Sequence, residues 1–112
     1  HIGATAQIEG TNLILQKTKK FNDIPIIITG DFNVTPDSEV YKMMLSNGFE
    51  DARTIAKEKD NIDSFHWYGK GSKMIDFIFV KNIKSVAVAK TATDKINGRI
   101  PSDHYPVIAE IE

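Results

Sequence analysis

The chain contains no cysteine, so it can build neither a disulfide framework nor a thiol-based active site. No apolar segment approaches the ~20 residues needed to span a bilayer, and no signal peptide is visible. The chain begins at His1 rather than a methionine, as a fragment or a processed form would, so the missing signal assigns no cellular location. An excess of charge is lacking too: the net charge is −1 and the pI about 6.3. No basic field is on offer for tight, sequence-independent binding of nucleic acid. There is no internal repeat, no low-complexity tract and no sign of a second domain. What remains is 112 residues, 41% of them hydrophobic, which is enough for one compact unit with a modest core.

The most informative stretch is the apolar run 24–29 followed by Gly30-Asp31-Phe32-Asn33. Apolar on both faces, the run reads as a central strand covered on two sides. Asp31 and Asn33 then enter a loop, pointing the same way because side chains alternate along extended backbone, with Phe32 directed into the core. An acid and an amide at the carboxyl end of a buried strand are a usual place for chemistry in an α/β fold. The plain structural alternative is an Asx-type turn leading into the next helix.

Around this stretch the expected elements follow in order. Residues 3–20 predict a helix with Ala4, Ile8, Thr11, Leu15 and Thr18 on its apolar stripe and Ile14 widening it. A second helix is expected after Thr35, with Thr35 as cap, Pro36 in the first position, Val40, Met43 and Met44 buried, and Gly48 as terminator. Residues 51–59 read as a short helical piece, its charge run 57–60 as solvated surface. Residues 64–67 read as a short strand, and 74–80 as a strong strand with Asp76 in its middle. Residues 83–93 give a further strand, 94–105 a loop, and 107–111 a last strand that buries Val107, Ala109 and Ile111. This order predicts an α/β (α+β) fold, a mostly antiparallel sheet with helices on one face.

A carboxylate inside an apolar strand costs several kcal/mol unless it is paired, so Asp76 needs a partner. His104, in Ser102-Asp103-His104-Tyr105-Pro106 just before the last strand, is the natural one, because a carboxylate fixes the tautomer of an imidazole. Asp103 is then free to bind a cation. Oxygen donors without cysteine suit Mg²⁺ or Mn²⁺ better than structural Zn²⁺. Acids, an amide and an imidazole around such a cation are what phosphoryl transfer requires. His66, Trp67 and Tyr68 form either a substrate-facing rim or ordinary packing. Arg53, Lys70, Lys73 and Arg99 either meet a phosphate or are scattered surface charge.

Three segments, Gly-Asp-Phe-Asn at 30–33, Met-Ile-Asp-Phe-Ile-Phe-Val at 74–80 and Ser-Asp-His-Tyr-Pro-Val at 102–107, resemble the endonuclease/exonuclease/phosphatase superfamily in motif, order and separation. That group includes deoxyribonuclease-like nucleases, abasic-site endonucleases, sphingomyelinases, inositol-polyphosphate 5-phosphatases and deadenylases. The resemblance implies that Asp31 positions or activates the attacking water or serves the leaving group, and that Asn33 bonds a phosphoryl oxygen. It implies that Asp103, with Asp31, serves the metal, and that His104, held by Asp76, is base or transition-state stabiliser. Ser64 looks like the family's hydroxyl residue ahead of the Asp76 strand. Two positions depart from the pattern. Met74 stands where many members have a basic residue, and Gln7 where bacterial relatives tend to have Arg.

The family fold is a four-layered α/β sandwich about twice this length. Its early half supplies a metal-binding Glu, an Asn and a His-x-Asp, and His1-Ile2-Gly3 looks like the residues just after that last segment. The resemblance therefore implies that residues 1–112 form a single unit, the carboxyl-terminal half of such a domain. Half a sandwich leaves one apolar sheet face uncovered, which is expected to find the missing half or a second copy. The implied activity is divalent-metal-dependent phosphoester hydrolysis by in-line attack of water, on nucleic acid, phospholipid or sugar phosphate. The alternative is a non-catalytic binding or interaction fragment whose site lacks its upstream residues.

Overall fold

The computed structural model describes residues 3–112. The segment His1-Ile2 that precedes Gly3 in the resemblance above lies outside the described residues. Helix α1 (Ala4–Thr18) buries Thr11, whose hydroxyl donates to the Gln7 carbonyl at 2.8 Å. Ile8, Ile14, Leu15 and Thr18 are half-buried beside it, whereas Ala4 is exposed and Gln7 extends the stripe in its place. Strand β1 (Ile26–Asp31) is written in β-branched residues that suit extended backbone.

Helix α2 (Glu39–Ser46) starts later than expected. Ser38 caps it by accepting from the Tyr41 N–H, and its buried face is Val40, Tyr41 and Met44, with Met43 only half-buried. Thr35 instead donates to Asp37 in the preceding turn, and its carbonyl accepts the Ser38 N–H. Gly48, at φ +88°, ends the helix as anticipated.

The region 51–59 is helical only over α3 (Ala52–Ile55), capped by Asp51 and flanked by the two-residue strands β2 (Glu50–Asp51) and β3 (Glu58–Lys59). Strands β4 (Asp76–Lys81), β5 (Val86–Thr91) and β6 (Val107–Ile111) follow. Residues 64–67 are not a strand: Phe65 makes isolated bridges to Lys73 and His104, and Trp67–Gly69 is a 3₁₀ turn. In the 94–105 loop, Ile96 pairs with Arg99 across Asn97-Gly98, both at positive φ as a tight hairpin turn requires.

The strands form two three-stranded sheets rather than one, ordered β1-β4-β2 and β3-β5-β6, antiparallel except for β3 against β5. The expectation for β1 as a central strand also fails among the described residues. It pairs only with β4, so Ile26 and Ile28 turn towards the helices while Ile27 stays 52% exposed. Its continuous apolar run marks a strand with two faces to cover, and only one is covered here.

Two cores result. Leu15 of α1 and Tyr41 and Met44 of α2 pack with Phe49, Ile26, Ile28, Phe77, Phe79 and Phe32 on one face of the first sheet. Phe32 sits edge-on to Phe79 with centroids 5.2 Å apart. Val80 turns to the other face and joins Ala52, Ala56, Val86 and Ala89 against the second sheet. The fold is thus α+β, largely antiparallel, with α1 and α2 together on one face of the first sheet.

The charge run 57–60 is solvated except at its end. Asp60 meets Arg53 at 2.6 Å, the Arg53 side chain being only 11% exposed. Arg53 also donates to the Asp60 carbonyl and to Thr91 Oγ1, and the Asp60 carboxylate accepts the backbone N–H groups of Ile62 and Thr91. This staple joins the segment after α3 to β5. Burial works to raise the pKa of Asp60, but the Arg53 hydrogen bond, the two backbone donors and the Arg53 charge outweigh it and hold the carboxyl below its ordinary value. A carboxyl depressed by folding adds stability above its unfolded pKa, and that stability is lost as pH falls through the folded one. Asp60→Asn should therefore cost about 1–2 kcal/mol near neutrality, with the gap to the native chain closing below about pH 4. Urea unfolding followed across pH checks this; a pH-independent gap would refute it.

Candidate active site

The register of the first sheet places Asp31, last residue of β1, directly opposite Asp76, first residue of β4. Neither residue is where the sequence suggested. Asp31 is still in the strand rather than in the loop beyond it, and Asp76 opens its strand instead of lying in the middle. Two carboxylates facing each other across a ladder repel. His104 resolves the conflict: its Nδ1 lies 2.8 Å from Asp76 Oδ2 and its Nε2 3.7 Å from Asp31 Oδ2. A carboxylate can only accept, so Nδ1 carries the hydrogen of the shorter contact and Nε2 faces Asp31. The expected pairing of Asp76 with His104 is present in the structure.

Burial of the imidazole works to lower its pKa. The hydrogen bond and charge of Asp76, with the fields of Asp31 and Asp103, outweigh that and raise it above the ordinary histidine value.

The supports of this trio are local and specific. Fully buried Ser64 accepts the N–H groups of Ile75 (3.2 Å) and Asp76 (3.1 Å) on its hydroxyl, which fixes where β4 begins. Its carbonyl receives the Tyr105 N–H, tying down the residue after His104. The Phe65 ring lies 5.0 Å from the His104 ring. His66, 8% exposed, grips the same loop: its Nε2 lies 2.7 Å from the Ser102 carbonyl and its N–H donates to the Asp103 carbonyl at 3.0 Å. The sequence offered His66 only as rim or packing. The alternation from Ser64 to His66, which sets the two on one face, was the available signal for its clamping part.

Asn33 lies at φ +54°, and its N–H donates to Asp31 Oδ1 at 2.8 Å. The Asx-type turn is therefore real, and it leaves Asp31 Oδ2 facing His104. The simple alternation of Asp31 and Asn33 ends at this left-handed residue. Asn33 lines an open cavity of about 380 Å³ with Thr35, Phe65, Lys73 and His104. On the other side of His104, Asp31, Asp76, Ser102 and Tyr105 line a second cavity of about 520 Å³. The imidazole is thus a shared wall. Of the four cations considered, Arg53 is consumed by Asp60, Arg99 sits in the 96–99 hairpin, and Lys70 stands over Trp67. Only Lys73 adjoins the site.

Asp31, Asp76 and His104 each present a ligand atom within 4.8 Å of the others. Asp103 falls outside that cluster, although its charge reaches the imidazole. Because Asp76 and His104 bind one another, Asp31 is the carboxylate of the cluster left to meet a cation, and its oxygens suit a hard divalent ion.

The fold has close parallels. A functionally unknown conserved protein from Enterococcus faecalis V583 is 33% identical, with a TM-score of 0.87 over 100% of this chain and 46% of its own. An endonuclease/exonuclease/phosphatase from Bacteroides vulgatus is 30% identical, with a TM-score of 0.87 over 100% and 46%. A mannosyl-6-phosphatase from Bacteroides thetaiotaomicron VPI-5482 is 29% identical, with a TM-score of 0.87 over 100% and 48%. The chain thus spans about half the length of these structures. The sequence model of the endonuclease/exonuclease/phosphatase family matches residues 5–104, nearly the whole chain and all of the Asp31–Asp76–His104 trio, and the chain belongs to that family.

Proposed function

We propose that this chain is the carboxyl-terminal half of a divalent-metal-dependent phosphoester hydrolase, and that Asp31, Asn33, Asp76, Asp103 and His104 are its contribution to the site. The convergence of Asp31, Asp76 and His104 within 4.8 Å, in a chain of this family, is the observation that carries the reading. In the reaction, a water oxygen bonds to phosphorus in line with the P–O bond that breaks, and the leaving oxygen takes up a proton. No covalent enzyme intermediate forms.

Asp31 orients the water, and Asn33 donates to a phosphoryl oxygen. His104 presents Nε2 to the reacting groups because Asp76 holds Nδ1–H. So held, Nε2 serves as base or as stabiliser of the charge on the phosphoryl oxygens. Mg²⁺ or Mn²⁺ held by Asp31 and Asp103 would supply charge neutralisation at the phosphoryl group.

Among substrate classes, the likeness to a mannosyl-6-phosphatase supports a sugar phosphate over nucleic acid, and the net charge of −1 agrees with that choice. The outward face of β1, with Ile27 52% exposed, is where the upstream half of the fold or a second copy of this chain packs.

Assayed with Mg²⁺ or Mn²⁺ on a phosphomonoester and a phosphodiester, the hydrolase should lose at least about 100-fold in turnover on Asp31→Ala or His104→Ala. Both positions lie outside the two cores, so the unfolding midpoint should change little on Asp31→Ala and fall only modestly on His104→Ala, which leaves Asp31 and Asp76 facing each other. Equal losses of stability and activity would make these residues structural, and activity surviving Asp103→Ala would remove the metal assignment. Asp76→Asn should move the His104 imidazole titration to lower pH, read by NMR; an unmoved titration would break the pairing. By light scattering, the isolated chain should self-associate and Ile27→Lys should reduce this, whereas a monodisperse native monomer at high concentration would contradict the docking face.

A further inference from the structure

Trp67 and Tyr68 are held in a way that packing does not explain. Both are bulky, non-glycine residues in the left-handed region, at φ +45° and +50°, a conformation that costs about 1–3 kcal/mol for each. Such strain persists only where the surroundings over-determine it, and here His66 does so. Its Nδ1 accepts the Tyr68 N–H at 3.0 Å, and its carbonyl accepts the Gly69 N–H. Since a carbonyl only accepts and an amide only donates, His66 is the neutral tautomer with its hydrogen on Nε2, bonded to the Ser102 carbonyl. The strained turn nevertheless leaves both rings largely in the open: Trp67 is 54% and Tyr68 62% exposed, with Tyr68 meeting only the edge of the His66 ring at 5.5 Å. The fold spends backbone strain on displaying two aromatic rings.

Neither ring lines the cavities beside His104, but the turn that carries both is tied to that site. The imidazole that holds Tyr68 also grips the loop bearing Asp103 and His104, and Phe65, two residues before Trp67, lies against the His104 ring. We propose that Trp67 and Tyr68 form the subsite for the organic group esterified to the phosphate, a hexose ring laid flat on the indole. His66 is the positioning residue that fixes this shelf relative to the Ser102–His104 loop. The weakly positive C–H face of a hexose complements the negative face of an aromatic ring. Lys70, whose ammonium lies 5.9 Å from the indole centroid, supplies a donor for the hydroxyls at the ring's rim. The inference rests on the phosphoester-hydrolase reading and names the substrate group that this part of the chain receives.

Trp67 is the chain's one tryptophan, so its emission reports the shelf and nothing else. Mannose 6-phosphate titrated into the 112-residue chain with Mg²⁺ should give a saturable change in emission, and inorganic phosphate none. Tyr68→Ala should raise the midpoint about tenfold with an unchanged far-ultraviolet circular dichroism spectrum. His66→Asn, which retains an acceptor for the Tyr68 N–H, should preserve more of the response than His66→Ala. The proposal is overturned by no response to mannose 6-phosphate, by the same response to inorganic phosphate, or by a response to adenosine monophosphate alone. Phosphate release separates the two readings. In an active enzyme, Trp67→Ala should raise KM for mannose 6-phosphate more than for glycerol phosphate, which has no ring; equal effects sink the shelf and leave the hydrolase. A saturable emission change with no phosphoester hydrolysed, in this chain or in one extended upstream, sinks the hydrolase and leaves a sugar-phosphate binding site.

Discussion

Two carboxylates placed opposite one another across an antiparallel ladder are the constraint around which this molecule is arranged. Asp31 and Asp76 occupy the last pair of the β1–β4 register, and with nothing between them the end of the sheet would be self-repelling. His104 stands between them with a hydrogen bond to one and its Nε2 3.7 Å from a carboxylate oxygen of the other. The same arrangement that relieves the repulsion raises the imidazole's pKa and points Nε2 at a cavity. One imidazole thus both separates the two carboxylates and lines the cavity they share.

Everything nearby fixes the loop that brings His104 in. Ser64 sets the start of β4 through two backbone donors and holds Tyr105 through its carbonyl. His66 ties down Ser102 and Asp103. Buried hydroxyl and imidazole groups with every partner supplied are rigid, because leaving any of them unpaired is costly. The phenylalanine-rich core under α1 and α2, and the smaller alanine–valine core against the second sheet, support the ladder without containing the reacting groups. The apolar packing is therefore carried by side chains other than Asp31, Asp76 and His104.

Much of the fold was legible because its signals are local. The α1 stripe, the glycine stop of α2 and the bounds of β6 follow from periodicity and turn chemistry. The failures share one cause, which is partnership at a distance. Thr35 and Ser38 are equally good caps in isolation, and the turn through Pro36 and Asp37 decides for Ser38. A run apolar on both faces reads as a central strand, yet β1 finds only β4 as a neighbour among the described residues. Arg53 and Asp60 look like surface charge until the chain brings both to Thr91.

The sequence by itself determined which residue types are available for chemistry and in what order: oxygen and imidazole donors with no thiol, at Asp31, Asn33, Asp76, Asp103 and His104. It also determined the family, since three short motifs at set separations are a linear property. Only the tertiary structure decided that Asp76 opens its strand, that its carboxylate faces Asp31, and that Asp103 stands outside their cluster. It also decided that His66 is a clamp rather than a rim. The physical reason is that residue identity and periodicity act along the chain, whereas charge repulsion, tautomer choice and burial act through space. Those depend on neighbours that strand register brings together from 28 to 45 positions away, as His104 stands from Asp76 and Asp76 from Asp31.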